Sequence, residues 1–171
     1  MGQAVLISIR PKWCELVASG EKTIEVRKTA PKIETPFKCY IYCTKFHPGD
    51  PDSMINLKGR KSFFMPQSCM VIGEFMCRTI EKFDSAWSEY AYAVAPPGSV
   101  MPMHEETALQ IMTEKGCLTD DDITEYFGDE DYKAFFWHIS DLVIYDKPKS
   151  LNEFRLNRPP QSWCYVEQEA E

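Results

Sequence analysis

Lys22, Thr23, Glu25 and Arg27 fall within one short stretch, Gly20-Glu21-Lys22-Thr23-Ile24-Glu25-Val26-Arg27-Lys28. An ammonium, a hydroxyl, a carboxylate and a guanidinium held so close together can grip a phosphate or a polar base edge. A carboxylate beside a lysine can also serve as a general base. In an extended strand Thr23, Glu25 and Arg27 share one face, while Ile24 and Val26 share the other. Arg10 and Lys12 stand just upstream. The same spacing also fits a solvated sheet edge carrying a Glu–Arg pair, which would contribute little to stability.

The elements that must position these groups are legible on either side. Ala4-Val5-Leu6-Ile7-Ser8-Ile9-Arg10 reads as a strand by its β-branched content. Val5, Ile7 and Ile9 point one way, with Leu6, Ser8 and Arg10 the other. Pro11 suits the first turn of a helix, Trp13, Leu16 and Val17 recur at helical spacing, and Gly20 sits where a left-handed cap is wanted. The unit is strand, short helix, strand. It gathers Arg10, Lys12, Lys22 and Arg27 around the helix ends as a small basic site with Glu25 in it.

Further along, Phe37–Thr44 is a third strand, and residues 45–67 show no sustained period. Those residues read as a long loop whose Lys58, Arg60 and Lys61 could meet a phosphate backbone, a solvated loop being the commoner outcome. Cys69–Glu81 is the longest apolar run and is expected as a central strand. Gly73 marks a bend or bulge there, and Glu74 is either paired with a cation or turned to the rim. Residues 83–136 read as a mainly helical insertion. It holds one helix over Glu105–Lys115, with Leu109 and Met112 inward, and a second opened by a Thr119–Asp122 capping box with Ile123, Tyr126 and Phe127 as its core face. Its outer face is a solvated surface by default and a protein-partner surface as the alternative. Trp137–Tyr145 is a strand, with His138 more in keeping with a hydrogen-bonded rim residue than a catalyst. Leu151–Phe154 is one helical turn, and Ser162–Val166 is the closing strand ahead of an acidic tail over residues 167–171.

With 171 residues, 44% of them hydrophobic and 13% aromatic, the chain is expected to form a single folded domain. No run of about 18 apolar residues suggests a membrane span, and the opening residues lack the basic-then-apolar order of a secretion leader. The seven cysteines form no C-x-x-C pair, which fits free thiols in a reducing cytoplasm. Cys39, Cys43 and His47 are the tightest metal-like grouping, and their spacing is wrong for a zinc ribbon; no metal and no cofactor are expected. Residues 1–82 hold 13 Lys and Arg against 8 Asp and Glu, and residues 83–171 hold 6 against 18. The net charge of −7 therefore splits into a basic part and an acidic part. Such a chain is poorly suited to coating duplex DNA but can admit one strand or one nucleotide into a local basic cleft.

Ser8-Ile9-Arg10-Pro11-Lys12 followed by Ser19-Gly20-Glu21-Lys22-Thr23-Ile24-Glu25-Val26-Arg27 resembles the opening signature of the ASCH domain, a relative of the PUA superfamily. Trp137–Tyr145 and Arg158-Pro159-Pro160-Gln161-Ser162-Trp163-Cys164-Tyr165-Val166 resemble the closing strands of phage- and prophage-type members. The resemblance implies an α+β fold: a PUA-like mixed β-barrel with a short helix after its first strand and an inserted helical pair. It also implies binding of RNA or a modified base, and a strand beneath the pocket that makes Glu74 a secondary candidate. The expected ligand set is Ser8, Arg10, Lys12, Lys22, Thr23, Glu25, Arg27, Glu74, Ser162 and Trp163. Trp13 and Tyr165 are further aromatics that could stack on a base, although core packing competes for Trp13.

Small ASCH amidohydrolases acting on N4-acetylcytidine carry Lys-Thr-x-Thr-x-Arg. Lys22, Thr23 and Arg27 match that pattern, and Glu25 stands where the presumed nucleophilic threonine would be. The expected function is therefore a module that binds short single-stranded RNA or a nucleotide or nucleoside. One alternative is hydrolysis of a modified nucleoside or RNA, in which Lys22 and Glu25 activate a water. Another is a phage or prophage host-interaction protein working through its acidic helices. A cytoplasmic monomer is expected.

Overall fold

The structure, a computed structural model, describes residues 2–45, 69–86, 103–128 and 130–168. Strand β1 (Gln3–Ile9) runs into helix α1 (Pro11–Ser19), which starts on Pro11 and stops at Gly20 with φ 84°. A left-handed residue is where glycine costs least. Strands β2 (Ile24–Arg27), β3 (Phe37–Cys43) and β4 (Met70–Asp84) follow. Helix α2 (Glu105–Gln110) then passes without a break into a π-helical turn, Ile111–Lys115. Helix α3 (Asp120–Phe127), the long strand β5 (Lys133–Lys149), a 3₁₀ turn (Leu151–Phe154) and strand β6 (Trp163–Glu167) complete the order. β4 and β5 both reach into the segment expected as helical, so residues 83–84 and 133–136 are strand.

The six strands form one sheet in the order β2-β5-β4-β3-β1-β6. β1 and β3 are parallel, and every other neighbour pair is antiparallel. The α+β architecture is as expected, but the sheet is open, with β2 and β6 at its edges. Three strands separate β2 from β1 in this order, yet the Arg27 guanidinium on β2 donates to the Ser8 carbonyl on β1 at 2.5 Å. The sheet must therefore curl until its ends nearly meet. A side chain, in place of a backbone ladder, spans the seam.

Alternation along the strands fills the two faces. Val5, Ile7, Ile9, Cys39, Ile41, Cys43, Phe75 and Trp137 pack inside the curl with Cys14 and Val17 of α1. Ala4, Leu6, Tyr40, Tyr42 and Val71 pack on the outside under Phe154. A third cluster joins Ile24, Val26, Phe83 and Phe136 to Ala108, Met112 and Ile123 of the helical insertion. Burying each large aliphatic side chain contributes about 1.5–3 kcal/mol before its entropy cost. β4 is central, between β3 and β5, and its register shifts on both sides close to Gly73. A Cβ at Gly73 would run into the Val143 carbonyl and Ile144.

The π-helical turn alters one expectation. Met112 is fully buried, but Leu109 is 37% exposed, because the wider turn rotates the two residues off a common helical stripe. Lys58, Arg60 and Lys61 of the expected loop lie outside the described residues, as does His47.

Candidate functional site

β2 presents its polar face inward. Lys22, Glu25 and Arg27 are only 2%, 5% and 8% exposed, so the solvated-edge reading of this strand does not hold. Lys22 sits just ahead of β2, where its backbone N–H donates to the Leu16 carbonyl at the end of α1. Its ammonium donates to the Gly116 carbonyl at 2.5 Å and lies 3.6 Å from Glu25 Oε2. Arg27 Nη2 is 2.9 Å from Glu25 Oε1 and also reaches the Ser8 carbonyl, while Nη1 donates to Ser162 Oγ at 3.3 Å. One carboxylate thus stands between two buried cations, an arrangement that offsets the large cost of burying any one of them alone.

The bracing of this triplet comes from the insertion. Gly116, at the end of the π-helical turn, supplies the acceptor for Lys22, and Lys115 accepts from the Thr23 backbone N–H at 3.0 Å. Gly116 has to be glycine for want of room, since a Cβ there would come 2.6 Å from the Met112 carbonyl oxygen and 3.1 Å from Val26.

Above the triplet opens a cleft of about 480 Å³. Ser8, Ile9 and Arg10 of the β1 end, Trp13 of α1, and Lys22, Glu25, Val26 and Arg27 line one side of it. Leu118 and α3 residues Asp122, Glu125 and Tyr126 line the other, with Thr44 and Gln161 completing it. Two walls meet at the rim, where the Lys12 ammonium lies 3.1 Å from Asp122 Oδ1. Asp122 is also the residue that closes the α3 capping box with Thr119. Burial alone would raise the Asp122 carboxyl, but hydrogen bonds from Thr119 and Lys12 outweigh it and hold the group below its ordinary value. Burial pushes the Tyr126 hydroxyl up, with the Arg27 charge partly opposing.

Three lining residues carry a buried polar atom with no hydrogen-bond partner among the described residues: Glu25 Oε2, Arg27 Nε and Thr44 Oγ1. Buried polar atoms nearly always have partners, and leaving one unpaired costs about 1–3 kcal/mol. All three atoms are shut off from water behind the cleft lining. The nearby thiols are poor candidates for chemistry. Cys14 lies on the buried face of α1 in the inner core, where burial first and the hydrogen bond with Cys43 next hold it well above its ordinary value.

Not every expected residue reaches the cleft. Ser8, Arg10, Lys22, Glu25 and Arg27 line it, and Ser162 touches it through Arg27. The Lys12 side chain lies at the rim on Asp122 and 4.1 Å above the Trp13 ring. Thr23 turns its side chain to solvent and takes part through its backbone. Glu74, paired in register with Tyr40, faces the outer side of the sheet, where Lys38 and the Tyr145 hydroxyl hold it. Trp163 packs half-buried against the inner core and donates from Nε1 to Thr29 Oγ1 at 3.0 Å. The Tyr165 hydroxyl accepts from the Lys32 N–H. His138 pairs with Glu81 at 2.7 Å, away from the cleft lining.

The α3 contribution was missed by reading the insertion as a solvated acidic surface. Asp122, Glu125 and Tyr126 are spaced three and four apart on one helix, which puts them on one face. An acidic face opposite a basic strand was available as a signal in the charge asymmetry.

No protein-family model matches the chain, and no curated protein matches it. Solved structures do. ASCH from Zymomonas mobilis superposes with a TM-score of 0.63 at 21% identity, over 96% of this chain and 88% of that one. One point mutant of that protein gives a TM-score of 0.59 at 20% identity, over 96% and 91% of the two chains. A second gives 0.57 at 19%, over 96% and 89%. At these identities the likeness carries the fold: the chain has the α+β fold of those ASCH structures.

Proposed function

We propose that the cleft between β2 and α3 binds a nucleotide or nucleoside, free or within a short single-stranded RNA. The observation that carries this reading is the cleft itself, whose volume suits one nucleobase with its sugar and whose lining brings Arg10, Lys22 and Arg27 together opposite Tyr126. Trp13 and Tyr126 supply aromatic wall, and aromatic contact with a base is worth about 1–3 kcal/mol. Arg10 and Lys12 stand exposed at the rim, where a phosphate backbone would pass. All seven cysteines are free, in keeping with a cytoplasmic setting.

The test is a titration of the protein with short RNAs, short single-stranded DNAs and a panel of nucleosides that includes N4-acetylcytidine. Wild type and Glu25→Gln are compared, and the ligand is recovered and chromatographed. Binding that Glu25→Gln weakens, with ligand intact, supports a reader module. No binding by any of these ligands at millimolar concentration sinks the reading.

A hydrolytic reading has one observation in its favour: the Glu25 carboxylate lies 3.6 Å from the buried Lys22 ammonium, and a carboxylate beside a lysine can serve as a general base. Product that forms with wild type and not with Glu25→Gln would decide for it. The phage or prophage host-interaction reading keeps only the part of α3 that does not line the cleft, and Asp120 and Asp121 are the exposed residues it would use.

A further inference from the structure

We infer that Lys12 selects for phosphate on the ligand: the cleft takes a phosphorylated nucleotide in preference to the nucleoside, and the phosphate binds by drawing Lys12 away from Asp122. This deepens the nucleobase reading above and rests on it. The Lys12 ammonium lies 3.1 and 3.3 Å from the two Asp122 carboxylate oxygens, so one ion pair joins α1 to α3 at the cleft mouth. The same ammonium stands 4.1 Å from the centroid of the Trp13 ring, an aromatic surface of the lining. Lys12 thus covers a ring on which a base could stack, and an internal carboxylate holds it there.

The two partners differ in their freedom to move. Asp122 Oδ2 accepts from the Thr119 N–H at 3.0 Å and from the Thr119 hydroxyl at 2.8 Å, so the cap of α3 fixes the carboxylate. Lys12 carries its ammonium on a flexible four-carbon stem, and its side chain is 47% exposed. An exchange of partners therefore moves Lys12 and leaves Asp122 in place. The groups involved are open to water. Arg10, on the same lining, is exposed as well, and among the described residues its guanidinium makes no ion pair or hydrogen bond.

Charge decides which ligand drives the exchange. A neutral nucleoside has nothing that competes with a carboxylate for an ammonium, whereas a phosphate does. Arg10 adds a second cation on the α1 side. Asp122 and Glu125 repel a phosphate from the α3 wall, which leaves it the side of Arg10 and Lys12. Once Lys12 turns to the phosphate, the Trp13 ring is uncovered. Asp122 stays behind as a fixed anion that weakens phosphate binding. Trading one exposed ion pair for another also leaves little net dependence on salt.

The experiment titrates adenosine and uridine, their 5′- and 3′-monophosphates, the dinucleotides ApA and UpU, and inorganic phosphate, each at low and at moderate salt. The proteins are wild type, Asp122→Asn and Lys12→Ala, checked for folding by thermal unfolding. Wild type is expected to bind a monophosphate about tenfold or more tightly than its nucleoside. Asp122→Asn should tighten the monophosphate about three- to fivefold, the effect of one unit charge a few ångströms away in water, and steepen its salt dependence. Its nucleoside affinity should stay within about twofold, since a neutral ligand leaves the pair alone. Lys12→Ala should cut the preference for phosphate to about threefold or less without weakening the nucleoside. Lys12→Ala leaves the α3 cap untouched and decides the preference by itself if Asp122→Asn does not fold. The same pattern with ApA or UpU upholds the inference for a strand, and with monophosphates alone for a free nucleotide or a phosphorylated end. Nucleosides and monophosphates bound alike, or shifted equally by both variants, overturn the inference and leave the nucleobase reading standing. Inorganic phosphate that responds to both variants in this way, with no gain from a base, upholds the inference and overturns the nucleobase reading. Binding of none of the probes overturns both.

Discussion

Replacing Glu25 by alanine would leave Lys22 and Arg27 buried, with Gly116 and Ser8 carbonyls as acceptors and no countercharge. Breaking a buried ion pair from one side costs about 3–5 kcal/mol. Glu25→Ala should lose stability in that range in a urea titration, and Glu25→Gln, which keeps an acceptor toward Arg27, should lose clearly less. Glu74 makes a contrasting case on the far face of the sheet. Partial burial raises its pKa, but the hydrogen bonds from Tyr145 and Lys38 and the charges of Lys38 and Lys149 bring it below the ordinary value of 4.5. A carboxyl lowered in the folded state adds stability above its unfolded value and loses it as pH falls through the folded one. The unfolding free-energy gap between wild type and Glu74→Gln should therefore shrink as the pH is lowered from about 6 to about 3.

At the scale of elements, the π-helical turn and the capping box are where the insertion earns its place beside the cleft. Gly116→Ala drives a Cβ into the Met112 carbonyl and Val26, and overpacking of this kind costs about 1–3 kcal/mol. The same shift displaces the acceptor of Lys22, so ligand affinity should fall along with the denaturation midpoint. Thr119→Ala removes the cap of α3, in which Thr119 Oγ1 accepts from the Asp122 N–H at 3.1 Å, and should cost about 1 kcal/mol. The cap was legible because Thr119 and Asp122 stand at the spacing that reciprocal capping requires. α1 was legible for the same local reason, with Pro11 at its start and Gly20 at its end. The π-helical turn was not, since nothing in Ile111–Lys115 breaks a regular helical pattern; the extra residue is imposed by where the turn must dock on β2.

At the scale of the molecule, the strand inventory and the pairing of chemical groups on β2 could be read from alternation, while the curl of the sheet could not. The curl brings Arg27 of β2 to Ser8 of β1 and to Ser162 just ahead of β6, and periodicity carries no information about such meetings. For the same reason the acidic segment looked independent of the basic one, although Lys12 and Asp122 join them across the cleft mouth. That pair is half-exposed, and Lys12→Ala should cost less than about 1 kcal/mol in stability at moderate salt. Any larger loss would mean that the rim contact carries part of the fold.

The pairing of β1 with β6 has a consequence for the order of assembly. Gln3 stands opposite Glu167, and Ser8 waits for the Pro160 and Ser162 carbonyls, contacts that span nearly the whole sequence. On a ribosome β1 emerges well before its neighbour β6, so the cleft is completed only after residues 160–167 have emerged. A nascent chain stalled with residue 149 emerged and residue 160 still inside the ribosome should hold its β3–β4–β5 ladders yet leave Arg27 without Ser162. Pulse-labelling of stalled chains, comparing protection of β4 amides with those of β1, would reveal a site completed in a single late step.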